Sequence, residues 1–349
     1  MPELNGLVSK ISTTQLIPEV STDILYKNVY DGSKNKQENQ LRYMNTAAFI
    51  LHFLIAISII IIPNIVQKNI KLDGIPTSTY TLQPVFEVQK GQLKERKLIA
   101  KEVHKGVSLP VLIATFSFIT AGFHFGLAGI KPIRDKYNLD LRSGTNVFRW
   151  VEYSITASIM ITIIALSLGL RESNSLILIN VLNSTIMLFG YLVEKCLKNK
   201  NKKGALFFTF VGWVGLLAIW SILAQTAVNA TGGLISAATN NEETIEQPSG
   251  VPVPTYIDSI VESSSKDQNT TKTKTDFNTT EFNTFIWVIL VTLFVFFTSF
   301  GVVQLIQVSK NASSNIHNYE KSYIVLSFTS KATLVGIMYW GLYGRSNGR

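Results

Sequence analysis

The sequence predicts an all-α membrane protein: a bundle of seven transmembrane helices with a short β hairpin in its first long connection. Three observations predict it. Hydrophobic residues make up 46% of the 349 and charged residues only 16%, and mean hydropathy is +0.24. Seven apolar runs, at about 42–66, 107–130, 146–170, 175–195, 205–228, 283–308 and 322–343, each approach or exceed the roughly 20 residues that cross about 30 Å of hydrocarbon. Between the first two runs, "TYTLQPVFEVQ" (79–89) has the extended pattern of a strand, and Gly91 follows it.

The elements follow in order. Residues 1–40 form a polar leader, and no cleavable signal peptide is expected there. Residues 41–228 carry the first five spans, with the strand-bearing connection at 67–106. Residues 229–282 are rich in Ser, Thr, Asn and Pro and are expected to be a flexible insertion, with Asn-x-Ser/Thr acceptors at Asn269, Asn278 and, near the helix end, Asn229. Residues 283–344 carry the last two spans, and 345–349 form a tail. The short connections on one side are dense in cations: Lys131, Arg134, Lys136 and Arg142 in one, Lys195, Lys198, Lys200, Lys202 and Lys203 in another. The short loop opposite has only Arg171. The positive-inside rule puts the N-terminus in the cytoplasm and the insertion and C-terminus outside.

The formal net charge is +9. A basic rim on a membrane protein faces lipid headgroups, so membrane lipid rather than nucleic acid is the expected partner. The single cysteine, Cys196, excludes an intrachain disulfide and is expected to be a structural thiol. Four scattered histidines give no metal-ligand spacing, and no catalytic constellation points to an enzyme.

Few ionisable residues fall well inside the runs: His52, His124, Glu152 and Lys331. Each stands ten residues from a cation expected at one headgroup level, Arg42, Arg134, Arg142 and Lys321 respectively. Ten helical residues span about 15 Å, so all four side chains are expected near mid-membrane. A lysine there costs about 2.5–3.5 kcal/mol, so Lys331 and Glu152 are expected to pair. The pair is either a structural ion pair or a chemical centre, since a desolvated lysine attacks aldehydes to form a Schiff base that needs a carboxylate counterion. The surroundings suit a long flat ligand. Ser327 lies one turn before Lys331. Asn183, Met187 and Gly190 share a stripe in the fourth run, the fifth offers Trp213 and Trp220, and the sixth offers Phe294, Phe297, Gly301 and Gln304.

Four segments, "RWVEYSITASIMI" (149–161), "LNSTIMLFGYLVE" (182–194), "FVFFTSFGVVQ" (294–304) and "YEKSYIVLSFTSKA" (319–332), together resemble the heliorhodopsins, a family of microbial-type rhodopsins. The resemblance covers about 41–228 and 283–344. It implies all-trans retinal on Lys331 as a protonated Schiff base, Glu152 as its counterion and Ser327 as a hydrogen-bond partner. His52 and His124 would belong to a cytoplasmic polar network. Apart from the resemblance, Glu194 at the inner end of the fourth run and Arg149 are candidates for a polar network or proton path with them, and the alternative for Glu194 is an interfacial residue paired with Lys195 or Lys198. The resemblance also implies an inverted topology, strands in the first extracellular loop and a homodimer. The leader and the 229–282 insertion depart from the family pattern.

The expected function is therefore a photoreceptor that signals by photoisomerisation and conformational change, through a signalling partner the sequence does not name. It is not a pump, because "MITIIALSLGL" (160–170) holds no second carboxylate in the third run. A light-gated proton channel or transporter is the alternative. A seven-helix receptor or transporter built on an ordinary ion pair is a third class, and it predicts no visible chromophore.

Overall fold

A computed structural model describes residues 19–66, 77–89, 92–239, 279–310 and 316–340. In chain order these form helix α1 (Glu19–Val66), strands β1 (Thr77–Gln89) and β2 (Gln92–Val107), then α2 (Leu109–Gly129), α3 (Lys131–Arg142), α4 (Val147–Ser167), α5 (Ser173–Lys198), α6 (Lys202–Thr239), α7 (Thr279–Ser309) and α8 (Ile316–Tyr339). The long helices close into a ring: α1 packs on α2, α2 on α4, α4 on α5, α5 on α6, α6 on α7, α7 on α8, and α8 back on α1. The ring buries one continuous apolar core, in which Phe116, Ile161, Ile163, Ile164, Leu223, Ile289, Leu293, Leu334 and Met338 have no more than trace exposure.

Among the described residues, six helices are long and apolar enough to cross a membrane, within Lys36–Ile61, Leu109–Gly129, Val147–Ser167, Ser173–Lys198, Lys202–Gly232 and Thr284–Ser309. The seventh expected run is also a helix, α8, but it is not among these six. Lys331 and the Ser and Thr residues around it lower its hydropathy.

Two boundaries differ from the sequence reading. Helix α1 begins at Glu19, inside the segment expected to be a leader, and its 48 residues span about 72 Å, far more than a bilayer needs. Helix α6 continues to Thr239 rather than stopping at 228, because "TGGLISAAT" (231–239) is still apolar and helix-compatible although the insertion as a whole is polar. Asn229 is therefore a helical residue within a span, where its side chain accepts from Gln225 Nε2 at 3.0 Å. Asn269 and Asn278 lie outside the described residues.

Local chemistry fixes the ends that matter for the site. Proline stands in the first turn of α2 and of α3, where a missing N–H costs nothing. Asn146 caps α4 by accepting from Arg149 N at 3.2 Å. Gly169, with φ 96°, turns the chain from α4 into α5. Glu172 caps α5, accepting from Asn174 N at 3.1 Å and Ser175 N at 2.5 Å. Partial burial works against the Glu172 charge, but the bonds from Ser175 and Asn174 hold its carboxyl below the ordinary range.

The hairpin forms as expected, with strands longer than expected: 13 and 16 residues, antiparallel, with register shifts near Thr79 and Val88. It is tied to the α4–α5 turn. Tyr80 N donates to Arg171 O at 2.9 Å, and Asn174 Nδ2 donates to Thr81 Oγ1 at 3.2 Å.

Candidate functional site

Lys331 and Glu152 meet. Lys331 Nζ, on α8, donates to Glu152 Oε1 on α4 at 2.6 Å and to Thr120 Oγ1 on α2 at 2.8 Å. The two residues are 3% and 4% exposed. Losing either partner of such a pair costs about 3–5 kcal/mol, because the other charge stays buried. The ammonium also stands 5.5 Å from the centre of the Tyr153 ring. One lysine thus ties three helices of the ring, α2, α4 and α8, together.

The two histidines also meet. The His52 and His124 rings lie parallel with centroids 6.0 Å apart. His124 Nδ1 bonds Asn45 Oδ1 at 2.7 Å, and Asn45 Nδ2 is spent on Leu41 O at 2.8 Å, so the amide orientation holds both ends. The His52 ring packs edge-on to Phe328 at 5.5 Å. Thr120 and His124 are four apart on α2, about 6 Å along its axis, so the histidine pair sits one turn from the lysine. Both His52 nitrogens are buried with no hydrogen-bond partner among the described residues.

A second charged cluster lies at the start of α4. Arg149 is bonded to Glu194 of α5 and to Glu320 of α8. Glu194 also accepts from Asn146 N at 2.8 Å and Trp150 Nε1 at 2.9 Å, and Glu320 accepts from Tyr137 Oη at 3.0 Å. The guanidinium lies 4.0 Å from the Tyr323 ring centre and 5.0 Å from that of Trp150. A planar fork with five donors can hold two carboxylates in this way, where a lysine would not. Glu194 is fully buried, so it is not the interfacial partner of Lys195 or Lys198. Burial first, and the Glu320 carboxylate beside it, push the Tyr137 phenol well above its ordinary range.

A cavity opens between α4, α5, α6, α7 and α8. Of the residues expected to contact a ligand, Met187, Gly190, Trp213, Phe297, Gln304 and Ser327 line it. Tyr153, Met160, Thr209, Phe300 and Tyr323 complete much of the wall. Asn183 stands outside this lining and donates to Ser158 Oγ at 3.0 Å. Phe294 stands behind the wall against Trp220, 5.4 Å between ring centres. Two glycines permit the close packing around it. A Cβ at Gly190 would run into the Trp150 ring, and one at Gly301 would come within 2.8 Å of Trp213. Ser327 and Ser330 bring the wall to the turn that carries Lys331. The aromatic walls of the cavity suit a long apolar ligand; Lys331 and Glu152 stand outside the lining, each next in the chain to a residue that lines it, Ser330 and Tyr153.

The sequence reading did not include Thr120, Asn45, Tyr137 or Glu320. Glu320 left a signal: it precedes Lys331 by eleven residues, three helical turns, and so shares its face. Its neighbour Lys321 disguises it as interfacial. Among the described residues, no group of three His, Cys, Asp or Glu is placed to hold a metal ion. Cys196 is free and half-buried, packed against Val193, Leu197, Ala205 and Val308.

No curated protein matches the chain. The family model for heliorhodopsin matches residues 41–239 and 269–343. With a match over most of its length and six helices apolar enough to span a bilayer, the polypeptide is a multi-pass integral membrane protein and belongs to the heliorhodopsin family, whose members are retinal-binding, light-sensing rhodopsins.

Proposed function

We propose that the protein is a photoreceptor that holds all-trans retinal on Lys331 and signals by conformational change rather than by pumping ions. The observation that carries this reading is the buried Lys331 Nζ, 2.6 Å from Glu152, on the turn whose Ser327 and Ser330 line a cavity walled by aromatic rings. These residues fit the cofactor: an apolar slot, an amine on the turn that lines it through Ser327 and Ser330, and a carboxylate beside the amine. When bound there as a protonated Schiff base, retinal supplies the visible absorption and the light-driven bond rotation.

The chain's own residues do the rest. Glu152 holds the positive charge at Nζ, and Thr120 orients it. Ser327, whose buried Oγ has no partner among the described residues, is one turn away to accept a bond. Without a positive charge at Nζ, Glu152 would have no opposite charge and the tie between α4 and α8 would weaken. Arg149, held between Glu194 and Glu320, is three residues from Glu152 on α4, and it links that change to α5 and α8. This is a local charge event biasing a packed element. Along α4 beyond Glu152, Met160 to Leu170 hold no carboxylate, which argues against a pump. In this reading α8 is the seventh span, and the cation-dense connections put the N-terminus in the cytoplasm.

The test is an absorption spectrum of the chain expressed with all-trans retinal. A visible band that disappears in Lys331→Ala, and moves to longer wavelength in Glu152→Gln, is the expected result. Removing the carboxylate lets positive charge spread along the polyene. Absence of a band in folded wild-type protein would sink the reading.

A second reading, a light-gated proton conductance, is favoured by one observation. His124, His52, Glu194 and Glu320 are all buried titratable groups on the Arg42-bearing side of Lys331.

A further inference from the structure

The five lysines of the α5–α6 connection are not explained by the site or by salt bridges, and Lys202 and Lys203 are not explained by helix stability. Lys195 and Lys198 end α5, Lys200 and Lys202 flank the turn, and Lys203 enters α6. All five are exposed. The turn that gathers them is tight. Lys200 takes a left-handed φ of 56°, Asn201 N donates back to Cys196 O at 2.8 Å, and Asn201 Oδ1 accepts from Gly204 N at 2.9 Å.

Elsewhere on this side of the bundle, four cations have partners. Arg142 pairs with Glu38 and Lys136 with Asp140. Lys321 donates to Gln40, and Arg134 to Ala128 O. For the five lysines here, no salt bridge to a carboxylate is found among the described residues, and the nearby Glu194 is spent on Arg149. Only Lys195 has an aromatic contact, 5.4 Å from the Tyr191 ring centre. Lys195 and Lys198 suit the negative end of α5. Lys202 and Lys203 stand in the first turn of α6, where a cation opposes the helix dipole. They are therefore not there to stabilise that helix.

Directly below lies an apolar wall. Leu206, Phe207 and Phe210 are 47%, 61% and 68% exposed, and Phe210 lies eight residues beyond Lys202, about 12 Å deeper along the helix. Unpaired ammonium groups over exposed aromatic and aliphatic side chains match a phosphate headgroup with its acyl chains beneath.

We propose that the Lys195–Lys203 turn and the α6 face below it form a docking surface for anionic phospholipid. An acidic protein segment matches the lysines but not the lipid-facing Phe207 and Phe210, so lipid is the occupant the surface favours.

The experiment uses the full chain in vesicles of phosphatidylcholine with one quarter phosphatidylglycerol, and electron spin resonance of spin-labelled lipids to measure which lipid the protein immobilises. Wild type is expected to prefer labelled phosphatidylglycerol over labelled phosphatidylcholine by about fivefold, the order of one lysine–headgroup contact, and high salt to reduce it. Replacing all five lysines with glutamine should bring the preference close to parity. Lys131→Gln with Lys136→Gln should leave it unchanged. Circular dichroism checks the fold of each variant, and if the five-fold variant fails to fold, Lys202→Gln with Lys203→Gln should give an intermediate preference. A lysine-free variant, or failing that the pair, that keeps the full preference would overturn the proposal, as would a wild type with none. A wild type without lipid preference that instead binds polyglutamate in neutral vesicles would assign the surface to an acidic protein partner and overturn it equally.

Discussion

Two residues decide what this bundle can tolerate. Lys331 is stabilised by Glu152 and Thr120, and Arg149 by Glu194 and Glu320. Each is a cation in a low-dielectric interior, where removing one partner is worse than never having had the pair. The arrangement is reciprocal: α8 gives the cation at Lys331 and the anion at Glu320, while α4 gives the cation at Arg149 and the anion at Glu152. Arg149→Gln leaves two carboxylates buried with no cation between them. It is expected to lower stability by about 3–5 kcal/mol, read as an earlier midpoint of thermal unfolding. Adding Glu320→Gln should recover part of the loss, because one of the two orphaned charges is gone. If Arg149→Gln matches wild type, the cluster is not a stabilising ion pair network.

At the scale of elements, the turns do more than join helices. The hairpin is fastened to the α4–α5 turn through Tyr80, Arg171, Thr81 and Asn174, and Glu172 in that turn caps α5. The α5–α6 turn, on the opposite side of the bundle, carries the five unpaired lysines. That asymmetry underlies the proposed orientation, and it is open to direct labelling. With Cys196→Ser as background, a cysteine placed by Lys203→Cys is expected to react with a membrane-impermeant maleimide only from the cytoplasmic side. Labelling of intact cells from outside would reverse the proposed topology. Helix α8 is the element in which function and span-forming character compete most directly. The lysine that makes it a candidate attachment site also lowers its hydropathy, and its place is secured by packing between α7 and α1.

For the whole molecule, the question is whether light produces a signal or a current. The buried groups cluster on one side of Lys331. In the other direction, around Met160, Ile161 and Met338, the buried polar residues include the hydroxyls of Ser117 and Thr156, with no buried Asp, Glu, His or Lys among the described residues. A conductance needs a polar path across both halves, whereas a receptor needs only one side to rearrange. Under voltage clamp, illuminated cells are therefore expected to show no steady photocurrent at any holding potential. A current that reverses with the proton gradient would favour the conductance over the receptor.

The apolar runs, the hairpin and the shared level of four ionisable residues along the bundle were legible in the sequence alone. They depend on one-dimensional quantities: run length against bilayer thickness, alternation along a strand, and residues counted from a headgroup cation. The pairing of Lys331 with Glu152 followed because a buried charge requires an opposite one and only one carboxylate stood at that depth. Other features belonged to the tertiary structure. Thr120 as the lysine's second partner, Asn45 as the clamp on His124, and Glu320 with Tyr137 beside Arg149 depend on which helices are neighbours in the ring, which spacing along one chain does not encode. Hydropathy averaged over 229–282 hid the helical continuation to Thr239. Asn183 and Phe294 share stripes with cavity residues yet stand outside the lining, because helical periodicity gives a face and only packing decides which part of that face meets the cavity.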